Sequence, residues 1–403
     1  MSFFQSEDQI INILKQCFTK ADKFQIVENA TNEGHMHYIS DIIRLTFKYE
    51  EDGIPKTKSL VLKVPTNGDA SYLADELNIF DRENFVYDTI IPRINDYLDE
   101  PLTPFYIKTA DSRIIMLENL VAQGYEKGQN DRLLYNQKQS RPIIKALAYF
   151  HAASHKVAQL EPHLLHHKMF QSSILFEMRQ NTTDFWEPIL FELLARNNAS
   201  YLISKLKNVT FRLKNDDGNT SSLHHSNFNF CVLNHGDFRK DNVMLKYGPD
   251  NEVDGVKIID FQTCFWSTPI NDFVYFFLMS TETEQIENHY EACVNWYLEF
   301  LNEKLRNINC TQAYNRQNFK DDIRRLNVCS VYCIMWTIFR MTPLDELGRA
   351  RLLDEIVQGK KENIRHYTET FLKDELLTKK VLGVLKLCEK LQLFEPACTE
   401  ENN

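Results

Sequence analysis

The sequence predicts an α+β protein of two lobes, a small strand-rich lobe followed by a larger, mainly helical one. Its 403 residues exceed the length of one small domain. Short β-like apolar runs concentrate before residue 119, whereas apolar residues at helical spacing dominate the rest. We therefore expect a first lobe over residues 1–118, a connector over 119–124 and a second lobe over 125–403, with a ligand cleft between the lobes.

Composition limits the function classes. Hydrophobic residues make up 43% of the chain, which is enough for a large core. The net charge of −10 argues against nucleic acid as a partner, so a phosphate site must be locally basic or bridged by a metal. The sequence has no signal-peptide pattern, no apolar stretch of about 18 residues and an odd number of cysteines, nine. These features predict a cytoplasmic protein with no membrane contact.

The first lobe opens with an amphipathic helix over residues 8–20. Two β-like runs follow, over 42–48 and 59–64. Asp52 and Gly53 between them are turn residues, and they predict a β-hairpin with a long loop.

Lys63 lies inside the second of these runs. In a strand, Leu60, Leu62 and Val64 would face one side and Lys63 the other. A lysine in a buried strand needs an anionic partner. The alternative is an edge-strand lysine that reaches solvent.

A helix over residues 72–91, ending at Pro92, supplies two candidate partners for Lys63. Glu83 lies on or beside the apolar stripe of this helix and is the expected partner. Glu76 lies near the same face and is the competing choice. An apolar strand then leads into the connector, whose backbone groups could meet an adenine edge.

The second lobe should be built mainly of helices, with an exposed loop over 214–229. The predicted helices span 143–155, 184–206, 282–305, 320–339, 344–358 and 362–391. Aromatic residues at helical spacing belong mostly to the core, and some of them could line an apolar acceptor pocket. They are Tyr290, Trp296, Tyr297, Tyr332, Trp336 and Phe339.

The segment over residues 231–272 contains the chemically most informative pattern. Two β-like runs, 243–247 and 256–260, are separated by turn residues and predict a hairpin. If Tyr247 pairs with Val256, Asn242 and Asp260 come together at one end of the hairpin. Both offer the hard oxygen ligands that Mg²⁺ prefers.

Asp237 precedes this hairpin on a loop that enters the same end. Phosphoryl transfer needs a metal on the phosphates, a lysine that contacts them, and a carboxylate that orients the attacking hydroxyl. Asp237 can take the last role, and Lys63, positioned by Glu83, the second. His235 is expected to brace the loop by hydrogen bonding. The segment therefore predicts a site for Mg·ATP.

The motif H-G-D-x-x-x-x-N over His235–Asn242 and D-F-Q over Asp260–Gln262 resemble those of choline kinases and aminoglycoside phosphotransferases. With E-x-x-x-Y over Glu83–Tyr87 and F-H-A-A-S over Phe150–Ser154, the chain is most similar to the ecdysteroid kinase-like family. The resemblance spans about residues 20–340. It implies a protein-kinase-like fold and ATP-dependent phosphorylation of a hydroxyl on a small molecule, such as a steroid or a xenobiotic.

The resemblance also implies roles for individual residues. The catalytic aspartate is Asp237, the metal ligands are Asn242 and Asp260, the ATP lysine and its partner are Lys63 and Glu83, and the hinge is Glu118–Leu120.

Three features depart from the family pattern. The phosphate-covering loop has only Gly34 where a glycine-rich turn is expected, which leaves Ser40 as a candidate phosphate contact. Asn119 stands where the family often has an aspartate, and Arg239 where an aromatic residue is usual. Arg239 and Lys240 either face the phosphates or are solvated surface charges.

Protein substrates are not expected. Only nine residues, Thr263–Asn271, separate D-F-Q from Asp272, and an A-P-E motif is missing from this segment. Gly236 stands where protein kinases have the arginine that binds an activation-loop phosphate. We expect Asp272 to bond the backbone of the catalytic loop instead.

Two other functions stay open. A catalytically inactive, pseudokinase-type small-molecule binder is favoured by the glycine-poor loop and disfavoured by the intact set of site residues. A choline- or ethanolamine-type kinase would need an acidic and aromatic cage for its ammonium group, which the sequence does not locate.

Overall fold

The structure is a computed structural model. It describes residues 3–4, 6–31, 40–66, 78–127, 134–170, 179–215, 228–325, 334–339, 341–342 and 344–395. Three residues named above, Gly34, Glu76 and Tyr332, lie outside these ranges.

A five-stranded antiparallel sheet forms the first part of the chain, with strand order β1-β2-β3-β5-β4. Its strands are β1 (Ala21–Thr31), β2 (Ser40–Glu51), β3 (Ile54–Pro65), β4 (Tyr106–Ile107) and β5 (Ile115–Glu118). The sequence did not predict β1, because most of its side chains are exposed and give no apolar alternation.

The β2–β3 hairpin is tighter than predicted. Its strands pair from Ser40 with Pro65 to Glu51 with Ile54, so the predicted long loop is wrong. Asp52 and Gly53 alone make the turn, with φ of 55° and 74°. Positive φ at both central residues suits the right-handed twist of the strands, which is why a two-residue turn suffices.

One face of the sheet packs against α1 (Glu7–Cys17), which confirms that a helix lies near the N-terminus. Leu60, Leu62 and Val64 are fully buried in this core together with Leu14 of α1. Lys63 faces the opposite side of the sheet, which confirms the alternation predicted for this strand.

The helix that contains Glu83 runs as α2 (Ile79–Phe85), a π-helical turn (Val86–Ile90) and α3 (Ile91–Asn95). The predicted end at Pro92 is wrong, since the helical path continues to Asn95. The π turn changes the hydrogen-bond register, and Pro92 becomes the second residue of α3, where a missing N–H is tolerated. These helices pack into the larger core with the rest of the chain.

The second part of the chain is mainly helical, which confirms the α+β fold of two lobes. Its helices are α4 (Gln137–Leu160), α5 (Arg179–Arg196), α6 (Ile203–Asn215), α7 (Ile270–Ser280), α8 (Thr283–Asn288), α9 (Tyr290–Asn307), α10 (Arg316–Arg325), α11 (Glu346–Val357), α12 (Ile364–Leu372) and α13 (Glu375–Lys390). None of the helices in the described ranges combines the length and hydropathy needed to cross a membrane.

Several predicted helices are divided in the structure. The prediction over 184–206 joins α5 and α6, which are separated at Asn198, where φ is 58°. The prediction over 362–391 joins α12 and α13. Between them, Asp374 caps the start of α13: its side chain accepts a hydrogen bond from the N–H of Leu377.

Two small sheets position the chemically informative segment. In the first, β6 (Glu126–Lys127) pairs with β8 (Val243–Tyr247), which pairs with β9 (Val253–Ile258). In the second, β7 (Val232–Asn234) pairs with β10 (Phe265–Ser267). The loop over residues 235–242 lies between β7 and β8.

Candidate active site

The loop that holds Asp237 begins with a constrained turn at Gly236. Its φ is 81°, and a Cβ added there would collide with the backbone oxygen of Thr263. Only glycine meets both conditions without strain. The loop is therefore packed directly against the segment that follows D-F-Q.

Asp272 fixes the start of the same loop. Its carboxylate accepts hydrogen bonds from the N–H of His235 at 2.6 Å and of Gly236 at 2.9 Å, as expected from the sequence. It also contacts Nε2 of His151, from F-H-A-A-S on α4, at 3.2 Å, while Nδ1 of this histidine bonds Tyr297 at 2.7 Å. Asp272 is 1% exposed, so α4 and α7 hold the loop through buried polar contacts.

His235 braces the other side of the loop. Its Nε2 lies 2.8 Å from the carbonyl oxygen of Ile259, and its Nδ1 accepts from the N–H of Asp237 at 3.2 Å. Nδ1 is therefore the unprotonated nitrogen, and Nε2 donates. This agrees with a bracing role and links the two aspartate segments.

The carboxylate of Asp237 is surrounded by donors. Nε of Arg239 donates to its two oxygens at 2.9 and 3.0 Å, and the Tyr275 hydroxyl donates at 2.8 Å. Nδ2 of Asn242 donates at 2.9 Å. The sequence analysis missed Tyr275; the available signal was its place three residues after Asp272 in the same helix, where side chains share a face.

Asn242 and Asp260 lie close together, but through a different register from the predicted one. Val243 pairs with Ile258 rather than with Asp260. The turn is shorter than predicted, since Tyr247 pairs with Val253 rather than with Val256, and a bulge between Lys246 and Tyr247 shifts the register by one residue. The contact between the two segments is the hydrogen bond from the N–H of Ile259 to the carbonyl oxygen of Asn242, at 3.0 Å.

Asp260 has a left-handed backbone, with φ of 73°. Such a conformation is rare outside glycine and asparagine, and it clusters at functional sites. It follows β9 directly and turns the D-F-Q segment toward the sheet of the first lobe.

Lys63 joins that sheet to this segment. Its Nζ lies 2.6 Å from Oε2 of Glu83, 2.6 Å from Oδ1 of Asp260 and 3.3 Å from Oε1 of Gln262. The other oxygen of Glu83 accepts from the N–H of Phe261 at 3.2 Å. The residues that the sequence paired as lysine and partner are thus in contact, and the lysine is buried rather than solvent-exposed.

Within this cluster, Lys63 and Asp260 hold each other ionised. Burial lowers the pKa of Lys63, but Asp260 and Glu83 outweigh this and raise it above its usual value. Burial raises the pKa of Asp260, yet Lys63 lowers it below its usual range. For Glu83 burial dominates and raises the pKa, against the effect of Lys63. Asp260 is therefore a carboxylate, the form that a metal needs.

The donor set fits a magnesium ion shared with phosphates. Nδ2 of Asn242 donates to Asp237, which leaves its Oδ1 available as a ligand, and the backbone of Asn242 bonds the residue before Asp260. Within the described ranges, no group of three or more histidine, cysteine or acidic side chains is arranged to hold a metal. Mg²⁺ bound through one or two protein oxygens normally takes its other ligands from phosphate and water.

Comparison with known proteins identifies the family. The model of the ecdysteroid kinase-like family matches residues 34–310, which is more than half of the chain. The chain belongs to this family. Membership in this family makes the chain a small-molecule phosphotransferase.

The chain is similar to solved structures of two other proteins. An ethanolamine kinase from Plasmodium vivax is 13% identical, with a TM-score of 0.41, over 90% of this chain and 91% of that one. A thermostable mutant of an aminoglycoside phosphotransferase, in its apo form, is 10% identical, with a TM-score of 0.34, over 89% and 98%. No curated protein sequence matches the chain.

The connector of this ecdysteroid kinase-like chain is held by side-chain contacts. The carboxylate of Glu118 accepts from the N–H of Phe105 at 2.9 Å and from Nε2 of Gln123 at 2.7 Å. Asn119 donates to Ser59 at 3.0 Å, and Leu120 is buried. The backbone from Glu118 onward is thereby fixed beside the sheet.

Two further predicted residues can be placed. Ser40 is the buried first residue of β2 and pairs with Pro65, two residues beyond Lys63. Arg239 and Lys240 are 8% and 5% exposed, so the alternative of solvated surface charges is wrong. Their burial follows from the contacts of the loop, since Arg239 pairs with Asp237.

The aromatic residues proposed for an acceptor pocket separate into two groups. Tyr297 is fully buried and bonds His151, and Phe339 is buried as well, so both belong to the core. Trp296 lines a cleft of about 440 Å³ with Phe300 of α9, with residues of α4 such as Lys138 and Arg141, and with Glu252 and Val253. This cleft contains none of the predicted site residues.

Proposed function

We propose that the protein transfers the γ-phosphoryl group of ATP, with Mg²⁺, to a hydroxyl of a small molecule. The supporting observation is the convergence of Lys63, Glu83 and Asp260 from two lobes beside the loop that holds Asp237 and Asn242. A paired lysine, a metal carboxylate with an amide, and a further carboxylate are the parts that phosphoryl transfer requires.

Each residue then has a separate task. Lys63 contacts the α- and β-phosphates, and Glu83 holds it in place. Asp260 and Oδ1 of Asn242 would hold Mg²⁺, which neutralises phosphate charge. Asp237 orients the acceptor hydroxyl and accepts its proton as the bond from the acceptor oxygen to the γ-phosphorus forms and the bond from that phosphorus to the β–γ bridging oxygen breaks, which releases ADP.

The remaining nucleotide contacts come from the first lobe and the connector. Backbone groups of Glu118 and Leu120 face the adenine, and Ser40 belongs to the segment beside the phosphates. Gly34, which the sequence predicts for the same role, lies outside the described residues. We take residues 1–118, 119–124 and 125–403 as the first lobe, hinge and second lobe. A cytoplasmic location is supported by the free thiols of the described cysteines.

The proposed acceptor is a steroid alcohol or a hydroxylated xenobiotic rather than a protein. Membership in the ecdysteroid kinase-like family supports this class. Within Thr263–Asn271, the β10 strand pairs with β7. The segment is thus bonded to the start of the catalytic loop, which leaves little chain to dock a peptide.

The test is ATP consumption by the purified protein against a panel of steroid, phenolic and amino-alcohol acceptors. Asp237→Asn should lower kcat by about a hundredfold or more, since a general base contributes about 10²–10⁴ to the rate. Binding of Mg·ATP, measured by calorimetry, should stay within about threefold of wild type. Normal turnover by this variant would remove Asp237 from the mechanism, and no acceptor-dependent turnover by wild type would contradict the activity.

A further inference from the structure

Arg239 lies against the carboxylate of Asp237, at the place where an acceptor must bind. Its Nε donates to both oxygens of Asp237, and its Nη1 contacts the carboxylate of Asp241. Its side chain is only 10% exposed. Held by two carboxylates and little hydrated, this guanidinium is a fixed positive charge.

The position of this charge relative to the acceptor follows from the chemistry. A hydroxyl that gives its proton to Asp237 must approach one of its oxygens to about 3 Å. A cation on the neighbouring carbon of the same molecule would then lie about 6 Å from the guanidinium, where two like charges at an effective dielectric of about 20 weaken binding by about a hundredfold. We expect the nearby carboxylates to reduce this to about tenfold.

The described acidic side chains of the site are already engaged by cations. Asp237 and Asp241 pair with Arg239, and Glu83 and Asp260 pair with Lys63. An ammonium group would have to displace one of these cations to obtain a carboxylate partner.

The other neighbours of Asp237 do not favour a cation either. Tyr275 and Asn242 both present donor hydrogens to its carboxylate. Arg239 is thus joined at this carboxylate by two further hydrogen-bond donors.

We propose that Arg239 determines acceptor specificity by excluding alcohols that have a positive charge near the reacting hydroxyl. The acceptor class is therefore an uncharged alcohol rather than an amino alcohol of the choline or ethanolamine type. This inference rests on the proposed function, which identifies the hydroxyl that reacts. It adds the prediction that the acceptor has no positive charge near that hydroxyl.

The test compares acceptor pairs that differ only in charge. One pair is choline and its neutral isostere, in which a tert-butyl group replaces the trimethylammonium group. A second pair is a steroid alcohol and its analogue with an amino group on the adjacent carbon. For wild type, Arg239→Gln and Arg239→Lys, we would measure the neutral-to-cationic ratio of kcat/KM and, with Mg²⁺ and a non-hydrolysable ATP analogue, the same ratio of binding constants.

Wild type should favour the neutral member by about tenfold or more, and Arg239→Gln should reduce this ratio by about tenfold. Arg239→Lys should keep the preference because it keeps the charge. Arg196→Gln is the matched control: it removes an exposed arginine that pairs with Glu192 and Glu369, and its ratio should equal that of wild type. Because the ratio cancels a general loss of activity, Arg239→Gln is informative even if the loop is weakened.

Three results would overturn the inference: a wild-type preference for the cationic member, a ratio in Arg239→Gln equal to that of wild type, or binding of neither member of any pair. Failure of the proposed function looks different. In that case wild type and Asp237→Asn would both lack acceptor-dependent turnover, while the ratio of binding constants would still decide the role of Arg239.

Discussion

Two buried lysines, Lys63 and Lys380, differ in pKa because they have different hydrogen-bond partners. They are 6% and 0% exposed. Lys63 lies between two carboxylates, which hold it protonated. Nζ of Lys380 on α13 contacts the carbonyl oxygen of Thr281, at the end of α7, and burial lowers its pKa to about 7 against the effect of Glu282.

Because these two buried lysines differ in their partners and in their pKa, burial alone does not identify a functional cation. A neutral or partly charged lysine is a poor phosphate ligand, whereas Lys63 enters the site with its charge maintained. Lys63 also joins segments that are 197 residues apart along the chain, at Asp260. Lys380 instead satisfies a helix end, which is a structural role.

Replacement of Lys63 should have the largest effect on stability and activity. In Lys63→Met, Glu83 and Asp260 lose their cation, and removing one partner of a buried pair costs about 3–5 kcal/mol of unfolding free energy. Phosphoryl transfer should fall by about 10²–10³-fold through loss of transition-state charge stabilisation. Denaturant unfolding and acceptor-dependent ATP consumption measure the two effects. Stability equal to that of wild type would mean that the cluster contributes no net ion-pair energy.

Lys380→Met tests whether the buried Lys380 has a lowered pKa in the folded protein. An unfolded lysine has a pKa of about 10.4, so between pH 7 and that value the unfolded chain binds more protons than the folded one, and stability rises with pH. From pH 7 to pH 9 the unfolding free energy of wild type should therefore rise by about 2 kcal/mol more than that of Lys380→Met. Activity should stay unchanged.

The matched control for this measurement is Lys379→Met, which removes the exposed neighbouring lysine. It should show the same pH dependence as wild type. Parallel pH profiles for wild type and Lys380→Met would show that Lys380 is charged in the folded protein.

Glu83→Gln should have a smaller effect on stability than Lys63→Met. Lys63 keeps Asp260 as a charged partner and can still bond the amide oxygen at position 83, so the expected loss is about 1 kcal/mol. KM for ATP should rise several-fold while binding of the acceptor is retained. Isothermal calorimetry with Mg·ATP checks this, and a loss as large as that of Lys63→Met would mean that Glu83, not Asp260, holds the lysine.

Local sequence patterns predicted the parts of the site that depend on them. The alternation around Lys63 assigned its side chain to the correct face of the sheet, because one face of that strand is buried by apolar residues. The spacing from His235 to Asn242 located the loop, because its hydrogen bonds are made within a few residues. The predicted contact of Asp272 with the loop backbone is different, because it joins residues that are 36 and 37 positions apart.

The missed features depend on contacts between distant segments. The register of the hairpin was wrong by two residues at Val243, because the turn residues predicted a longer loop than the one that lets Tyr247 pair with Val253. Tyr275 lies in a helix that is apolar on nearly all sides, which hid its hydroxyl. β1 has too few buried side chains to show a strand period.

The crowded turn at Gly236 has an evolutionary consequence. Protein kinases controlled by activation-loop phosphorylation use an arginine at this position to bind the phosphate. Here, a side chain of any size would meet the backbone at Thr263. A single substitution cannot introduce that arginine unless the chain after D-F-Q also shifts, so descendants of this sequence are separated from that form of control by at least two coordinated changes. Control of the enzyme should arise more readily at the level of its synthesis or of its substrate supply.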